Sequence, residues 1–208
     1  MEMITQSIPV SLVHEEFGGS KYFRRGYRQV MLGLKTEEEI MGSSIYQSLI
    51  IQAVVFYLKT ILPKKQYWVP TNEAGLHLHP KENMANDIVV IEKDKLPNPQ
   101  SELYNNVPPK FIIEVDIKID PIDYNTEPAT DVSMSYIVEK SSKLIDFGVD
   151  GVAWILTRHQ QVILARSQRN LEVYHWHETV PLFDEFSFCL KDILEEEGIL
   201  PASVTDPS

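Results

Sequence analysis

The run KFIIEVDIK (110–118) places two acids in an otherwise apolar, β-branched segment. Side chains of an extended strand alternate between its two faces. Glu114, Asp116 and Lys118 therefore share one face, and Ile113, Val115 and Ile117 the other. Two carboxylates one pleat apart on such a strand are costly unless they are paired or bind a metal. Upstream, Asp87 opens a second apolar run, DIVVIE (87–92). If the two runs are neighbouring strands, Asp87 comes close to Glu114 and Asp116, and the three acids make an all-oxygen pocket. Hard oxygen ligands suit Mg²⁺ or Mn²⁺ rather than zinc. The plain alternative is a strand whose polar face is merely wet, which is ordinary in an antiparallel sheet. Spacing alone leaves both open.

Other candidates are weaker. Lys21, Arg24, Arg25 and Arg28 form the densest basic cluster, interleaved with Tyr22, Phe23 and Tyr27. Alternating cations and aromatics are a faint nucleic-acid signature; a solvated strand pair, or aromatic packing, explains them as well. His77 and His79 lie two apart without a Cys or third His nearby, so zinc is poorly supported. His175 and His177 share a strand face and suit a rim role. The one cysteine, Cys189, excludes an internal disulfide framework and a multi-thiolate zinc site. No Walker, G-x-G-x-x-G or G-x-S-x-G pattern is present.

The elements that must position these residues follow from composition and periodicity. The chain has 208 residues, 43% hydrophobic, enough for one compact domain with a sizeable core. Lys and Arg number 19 against 30 Asp and Glu, a net charge of −11. That balance argues against a general nucleic-acid binder. It leaves room for an enzyme that meets nucleic acid through metal ions and a local basic patch. No apolar run approaches the roughly 20 residues of a membrane span. The acidic N-terminus lacks a signal peptide's pattern, so the expected location is cytoplasmic. A helix is predicted from Thr36, with Thr36 and Glu39 as a capping box. Ile45, Leu49, Ala53 and Phe56 form its main buried stripe, with Ile50, Val54 and Leu58 beside it. Strands are predicted at 66–71, 75–80, 87–92 and 110–118, then a loop through Pro121 and Pro128. A helix over 130–147 is capped by Gly148, and an antiparallel meander follows at 152–157, 161–166 and 171–176. A last helix lies near 190–197. The predicted organisation is an N-terminal arm (1–35), one domain (36–198) and a tail (199–208). The fold class is α/β (α+β), a central mixed sheet flanked by helices.

Three segments in order, NDIVVIEKDKLP, PPKFIIEVDIK and EKSSKLIDFGVDGVAWI, resemble the bacterial Uma-type endonuclease family. That family, long catalogued as a domain of unknown function, belongs to the restriction-endonuclease-like PD-(D/E)xK superfamily. The opening YFRRGYRQVMLGLKTEEEIMGSSIYQSLI resembles one branch of it, and the likeness runs from about residue 20 to residue 177. The resemblance implies that the strand-opening acid is Asp87, preceded by Asn86 where many members have Pro. It implies that the second-motif acid is Glu114. The third motif position, lysine in the superfamily, is Asp116 here. A lysine on the following helix is then the implied substitute: Lys140 matches that place, eight residues before Gly148, with Lys143 in reserve. The histidine often found ahead of the first long helix is absent, and that stretch reads MGSS.

The resemblance further implies an endonuclease that hydrolyses DNA with Mg²⁺ or Mn²⁺ held by Asp87, Glu114 and Asp116, with Lys140 completing the catalytic set. Arg24, Arg25, Arg28 and Lys143 are the candidates for binding nucleic acid. The alternative is an inactive nuclease-like fold that binds nucleic acid or a protein. A homo-oligomer, most simply a dimer, is expected from the aromatic arm and apolar surface residues, and no membrane association.

Overall fold

The computed structural model describes residues 8–80, 82–116, 119–120, 129–167 and 170–201, the side chains of 119–120 and 129–133 excepted. Lys118, the predicted loop through Pro121 and Pro128, and the tail from residue 202 lie outside the described residues.

A 3-10 turn at Val10–Leu12 leads into a hairpin of β1 (Val13–Phe17) and β2 (Ser20–Arg24). Three helices follow: α1 (Tyr27–Met31), α2 (Glu38–Met41) and α3 (Ile45–Ile61). Then come β3 (Tyr67–Trp68), β4 (Thr71–His79), β5 (Glu82–Glu92), β6 (Phe111–Val115), β7 (Ile119–Asp120) and α4 (Ala129–Phe147). The chain continues through β8 (Val152–Leu156), β9 (Gln161–Ser167), β10 (Asn170–His175), β11 (Thr179–Pro181), β12 (Ser187–Cys189) and α5 (Leu190–Glu196).

The central sheet runs β10-β9-β8-β6-β5-β3, with β4 also paired to β5. Among the described strands, β6 and β8 are the parallel pair within it. Parallel neighbours need a crossover, and α4 supplies it. The β8-β9-β10 meander is antiparallel as predicted. Helices α3 and α5 pack on one face and α4 on the other. With both faces covered, β6 is buried along its whole length. Phe111, Ile113 and Val115 enter the α3–α5 layer, while Ile112 enters the α4 layer. Glu114, two residues on from Ile112, thus points toward α4 into protein rather than into water.

The N-terminal hairpin is not a solvated pair. Phe17 and Tyr22 pack in the α4 layer, where Tyr22 stacks on Phe17 and meets Tyr136 edge-on. β2 also pairs with β7 in a separate three-stranded sheet. The predicted helix from Thr36 is interrupted. Thr36 N–H does bond the Glu39 carboxylate at 2.7 Å, but the chain turns extended at Gly42. Helix α3 restarts behind Ser44, whose hydroxyl accepts the Gln47 N–H at 3.1 Å. Its buried stripe is Ile50, Ala53, Val54 and Leu58, whereas Ile45, Leu49 and Phe56 are exposed. The sheet meets the second of the two candidate stripes, because α3 is apolar nearly all round. Contrary to the expectation from the apolar runs, Glu38–Ile61 is long and apolar enough for a membrane span by length and composition. That stretch is broken at Gly42, and the inner stripe of its α3 part packs on the sheet.

Candidate active site

Antiparallel pairing of β5 with β6 sets Ile88 opposite Ile113. The next rung brings Asp87 opposite Glu114, both on the α4 side. Asp87 lies inside β5, which begins at Glu82, and its Oδ2 accepts the Val115 N–H at 2.9 Å. From α4, one turn after Tyr136, Lys140 reaches down onto this pair. Its Nζ lies 3.0 Å from Glu114 Oε1, 3.0 Å from Glu15 Oε1 and 3.0 Å from the Ala85 carbonyl oxygen. Asp87, Glu114, Lys140 and Glu15 are all buried. Asp87, Glu114, Asp116, Lys140, Tyr136 and Trp154 line one cavity of about 10 Å³, space for roughly one water or ion.

Asp116 departs from strict alternation. The strand ends at Val115, and Asp116 takes a left-handed backbone, φ 61°. Asp tolerates that conformation better than most residues. Its N–H still bonds the Ile155 carbonyl at 2.8 Å, but its carboxylate turns to Thr157. There it accepts both the backbone N–H and the hydroxyl, each at 2.8 Å. Asp116 consequently stands at the edge of the cavity, a step away from the face shared by Asp87 and Glu114.

Charge is unevenly distributed. Burial pushes the Glu114 carboxyl up to about 8; the Lys140 ammonium works against this, and Asp87 and Glu15 reinforce it. Burial would raise Glu15 as well, but Lys140, the charge of His14 and the Tyr136 hydroxyl hold it below the usual carboxylate value. Burial opposes the charge on Lys140, and Glu114 and Glu15 more than offset it, so the ammonium is strongly favoured. Glu114 Oε1 is buried, and its close contact is the ion pair with Lys140 at 3.0 Å.

Next to this cavity lies a larger cleft of about 690 Å³. Arg24, Arg25, Arg28, Lys35 and Arg158 line it, and Asp116 and Glu73 line both spaces. The N-terminus of α3 contributes Ser43, Ser44 and Gln47. Gln47 Nε2 donates to the Val115 carbonyl at 2.6 Å and so ties α3 to the end of β6. The three arginines singled out in the sequence thus reach the acids' doorstep. Lys143 does not: its Nζ pairs with Glu82 at 3.0 Å, away from both spaces. Lys21 pairs with Glu16 at the surface, and Tyr22 is bonded to Glu139. Phe23 and Tyr27 are buried in a small apolar cluster. His77 bonds Asn83, and His175 stacks on His177 beside a separate cleft.

Sequence reasoning missed Glu15, Gln47, Lys35 and Arg158. Glu15 had a usable signal. In VHEEF it alternates in sequence with Val13 and Phe17, the same acid-among-apolar-residues pattern that singled out Glu114. Arg158, in the turn between β8 and β9, had none, because its place beside Asp116 depends on the parallel pairing of β6 with β8.

Among the described residues, no three His, Cys, Asp or Glu side chains are grouped as a ready metal shell. Asp87 and Glu114 face the small cavity, with Asp116 and Glu73 at its edge, and the buried Glu114 oxygen has the Lys140 ammonium as its close contact. A buried carboxylate with few partners is costly, and a hard cation would add one. Mg²⁺ is commonly held by one or two carboxylates and completes its shell with water and phosphate oxygens. The donor set fits such an ion.

A mixed sheet with one parallel step and helices on both faces, with a buried lysine on the crossover helix, make an α/β fold. A solved structure from Anabaena variabilis, described as a "putative nuclease belonging to DUF820", shares it, with a TM-score of 0.58 and 16% identity over 87% of this chain and 89% of that one. At that identity the likeness establishes a common fold, of the kind the sequence motifs resemble. No family model and no curated protein matches this chain.

Proposed function

We propose that this chain is a divalent-cation-dependent endonuclease that hydrolyses DNA phosphodiester bonds. The observation that carries the reading is the adjacency of two spaces. A cavity walled by Asp87, Glu114 and Lys140 meets, through Asp116 and Glu73, a cleft lined by Arg24, Arg25, Arg28 and Arg158. Asp87 and Glu114 would hold Mg²⁺ or Mn²⁺, which polarises a phosphoryl oxygen and lowers the pKa of a bound water. Lys140, fixed by Glu15 and the Ala85 carbonyl, would offer its third N–H, which now faces Glu114, to the reacting phosphoryl group, where negative charge develops. The guanidinium groups hold flanking phosphates in their planar forks. At a net charge of −11 the rest of the surface repels nucleic acid, so these cations set where it binds. DNA as the substrate rests on the family resemblance.

The test is cleavage of plasmid and oligonucleotide DNA with Mg²⁺ or Mn²⁺. Wild type is expected to cut, and Glu114→Gln to lose cutting while retaining DNA binding. Equal cutting by Glu114→Gln would reject the site.

One observation favours a second reading, an inactive fold that binds nucleic acid or a protein. Lys140 is already paired with both Glu114 and Glu15, and the Asp116 carboxylate is occupied by Thr157. Salt-dependent DNA binding without cleavage under any divalent ion would select that reading.

A further inference from the structure

Two buried carboxylates flank the Lys140 ammonium at equal distance but in unequal surroundings. Glu15 is saturated. Its Oε1 accepts Lys140 Nζ at 3.0 Å and the Ala85 N–H at 3.2 Å, and its Oε2 accepts the Tyr136 hydroxyl at 2.7 Å. Glu114 Oε1 is as near to the ammonium, at 3.0 Å, but that ion pair is the contact it makes. An ammonium has three N–H donors. Glu15 and the Ala85 carbonyl take two of them, which leaves the third on the Glu114 side, facing the cavity. Glu15 thus has the bonds of an anchor, and Glu114 has the open valence of a ligand.

Building on the metal-dependent reading above, we propose that Glu15 is the positioning residue for Lys140. It supplies the counter-charge that keeps the ammonium at the cavity once Glu114 is committed to a divalent cation. The balance of charges supports this. With all groups ionised, the buried Glu15, Asp87, Glu114 and Lys140 carry two more negative charges than positive, and one divalent ion brings these four to neutrality; Asp116 and His14 also line the cavity but are only partly buried. Without the Glu15 charge, the same ion would leave a buried excess of one positive charge, which a low-dielectric interior disfavours strongly. The hairpin that carries Glu15 is therefore part of the site. β1 sets Glu15 beside β5 through the Ala85 N–H, and Phe17 on the same face packs near Tyr136.

The test is Mn²⁺ binding by calorimetry to metal-free protein, with no substrate present and all proteins at one pH. Four proteins are compared: wild type, Glu15→Gln, Lys140→Met and the double variant. Glu15→Gln is expected to bind Mn²⁺ at least about tenfold more weakly, from the removal of one charge within a few ångströms of the ion. Lys140→Met is expected to bind at least as tightly as wild type. The double variant restores the original charge difference and is expected to return to within about threefold of wild type. A purely structural role for Glu15 predicts no such rescue. Wild-type affinity in Glu15→Gln, or a double variant as weak as Glu15→Gln, overturns the proposal. If Glu15→Gln does not fold, Lys140→Met decides, and weaker binding by it overturns the charge balance. Absence of Mn²⁺ binding in wild type overturns the metal-dependent reading itself, a loss visible before any substitution is made.

Discussion

Asp116 accepts both the backbone N–H and the hydroxyl of Thr157 at 2.8 Å, and this pair fastens the end of β6 to the turn after β8. It also holds Asp116 in its left-handed conformation and turns its carboxylate aside from the Asp87–Glu114 face. The Asp116 carboxylate is thus bound to the Thr157 N–H and hydroxyl.

Asp116→Asn is accordingly expected to fold normally, since Asn accepts a left-handed backbone. It should bind Mn²⁺ within about threefold of wild type, because Asp87 and Glu114 remain. Asp116→Ala should lose about 1–3 kcal/mol of stability from its missing hydrogen bonds and backbone strain. Thermal melting and calorimetry check both. A tenfold loss of Mn²⁺ affinity in Asp116→Asn would make it a ligand after all.

The raised Glu114 carboxyl makes metal-free stability depend on pH. Its value in the folded chain is about 8, against 4.5 for an ordinary glutamate, so between these the folded state binds the extra proton. Stability must then fall as pH rises from about 5 to about 8, and level off above. Glu15 acts in the opposite sense and at lower pH. Its lowered value contributes stability that is lost as pH falls below 4.5. Denaturation in EDTA should therefore show a maximum near pH 5. Glu114→Gln should flatten the decline on the alkaline side; an unchanged slope would assign the proton elsewhere.

The cleft cations should act additively on DNA binding. Replacing Arg24, Arg25 and Arg28 with Ala is expected to weaken binding and reduce the salt slope by about one for each phosphate no longer neutralised. Arg158→Ala should do the same by about one unit, although it lies 130 residues or more along the chain from that cluster. Lys143→Ala should leave the slope unchanged, because its ammonium is committed to Glu82. Filter binding at several salt concentrations distinguishes these outcomes.

Ile45, Leu49 and Phe56 form an exposed apolar row along α3. A dimer formed through this row is the expected assembly. Sedimentation should show a dimer in the micromolar range, and Phe56→Glu should shift it toward monomer. A wild-type monomer at high micromolar concentration would refute the dimer.

The sequence alone determined most strand and helix positions and the parity of Glu114, because period-2 and period-3.6 patterns are local properties. It also pointed to Asp87, Lys140 and the arginine cluster as the residues to watch. What it could not decide depended on which elements meet. The side of α3 that faces the sheet followed from packing, since two apolar stripes competed and only burial against the sheet chose between them. Asp116 broke the strand's alternation because Thr157, a neighbour only through the parallel β6–β8 pairing, offered it two donors. Glu15 lies 125 residues from Lys140 in sequence, and only the packing of the hairpin beneath α4 makes one the partner of the other. Long-range contacts fix the charge balance of the site, and a local pattern carries no record of them.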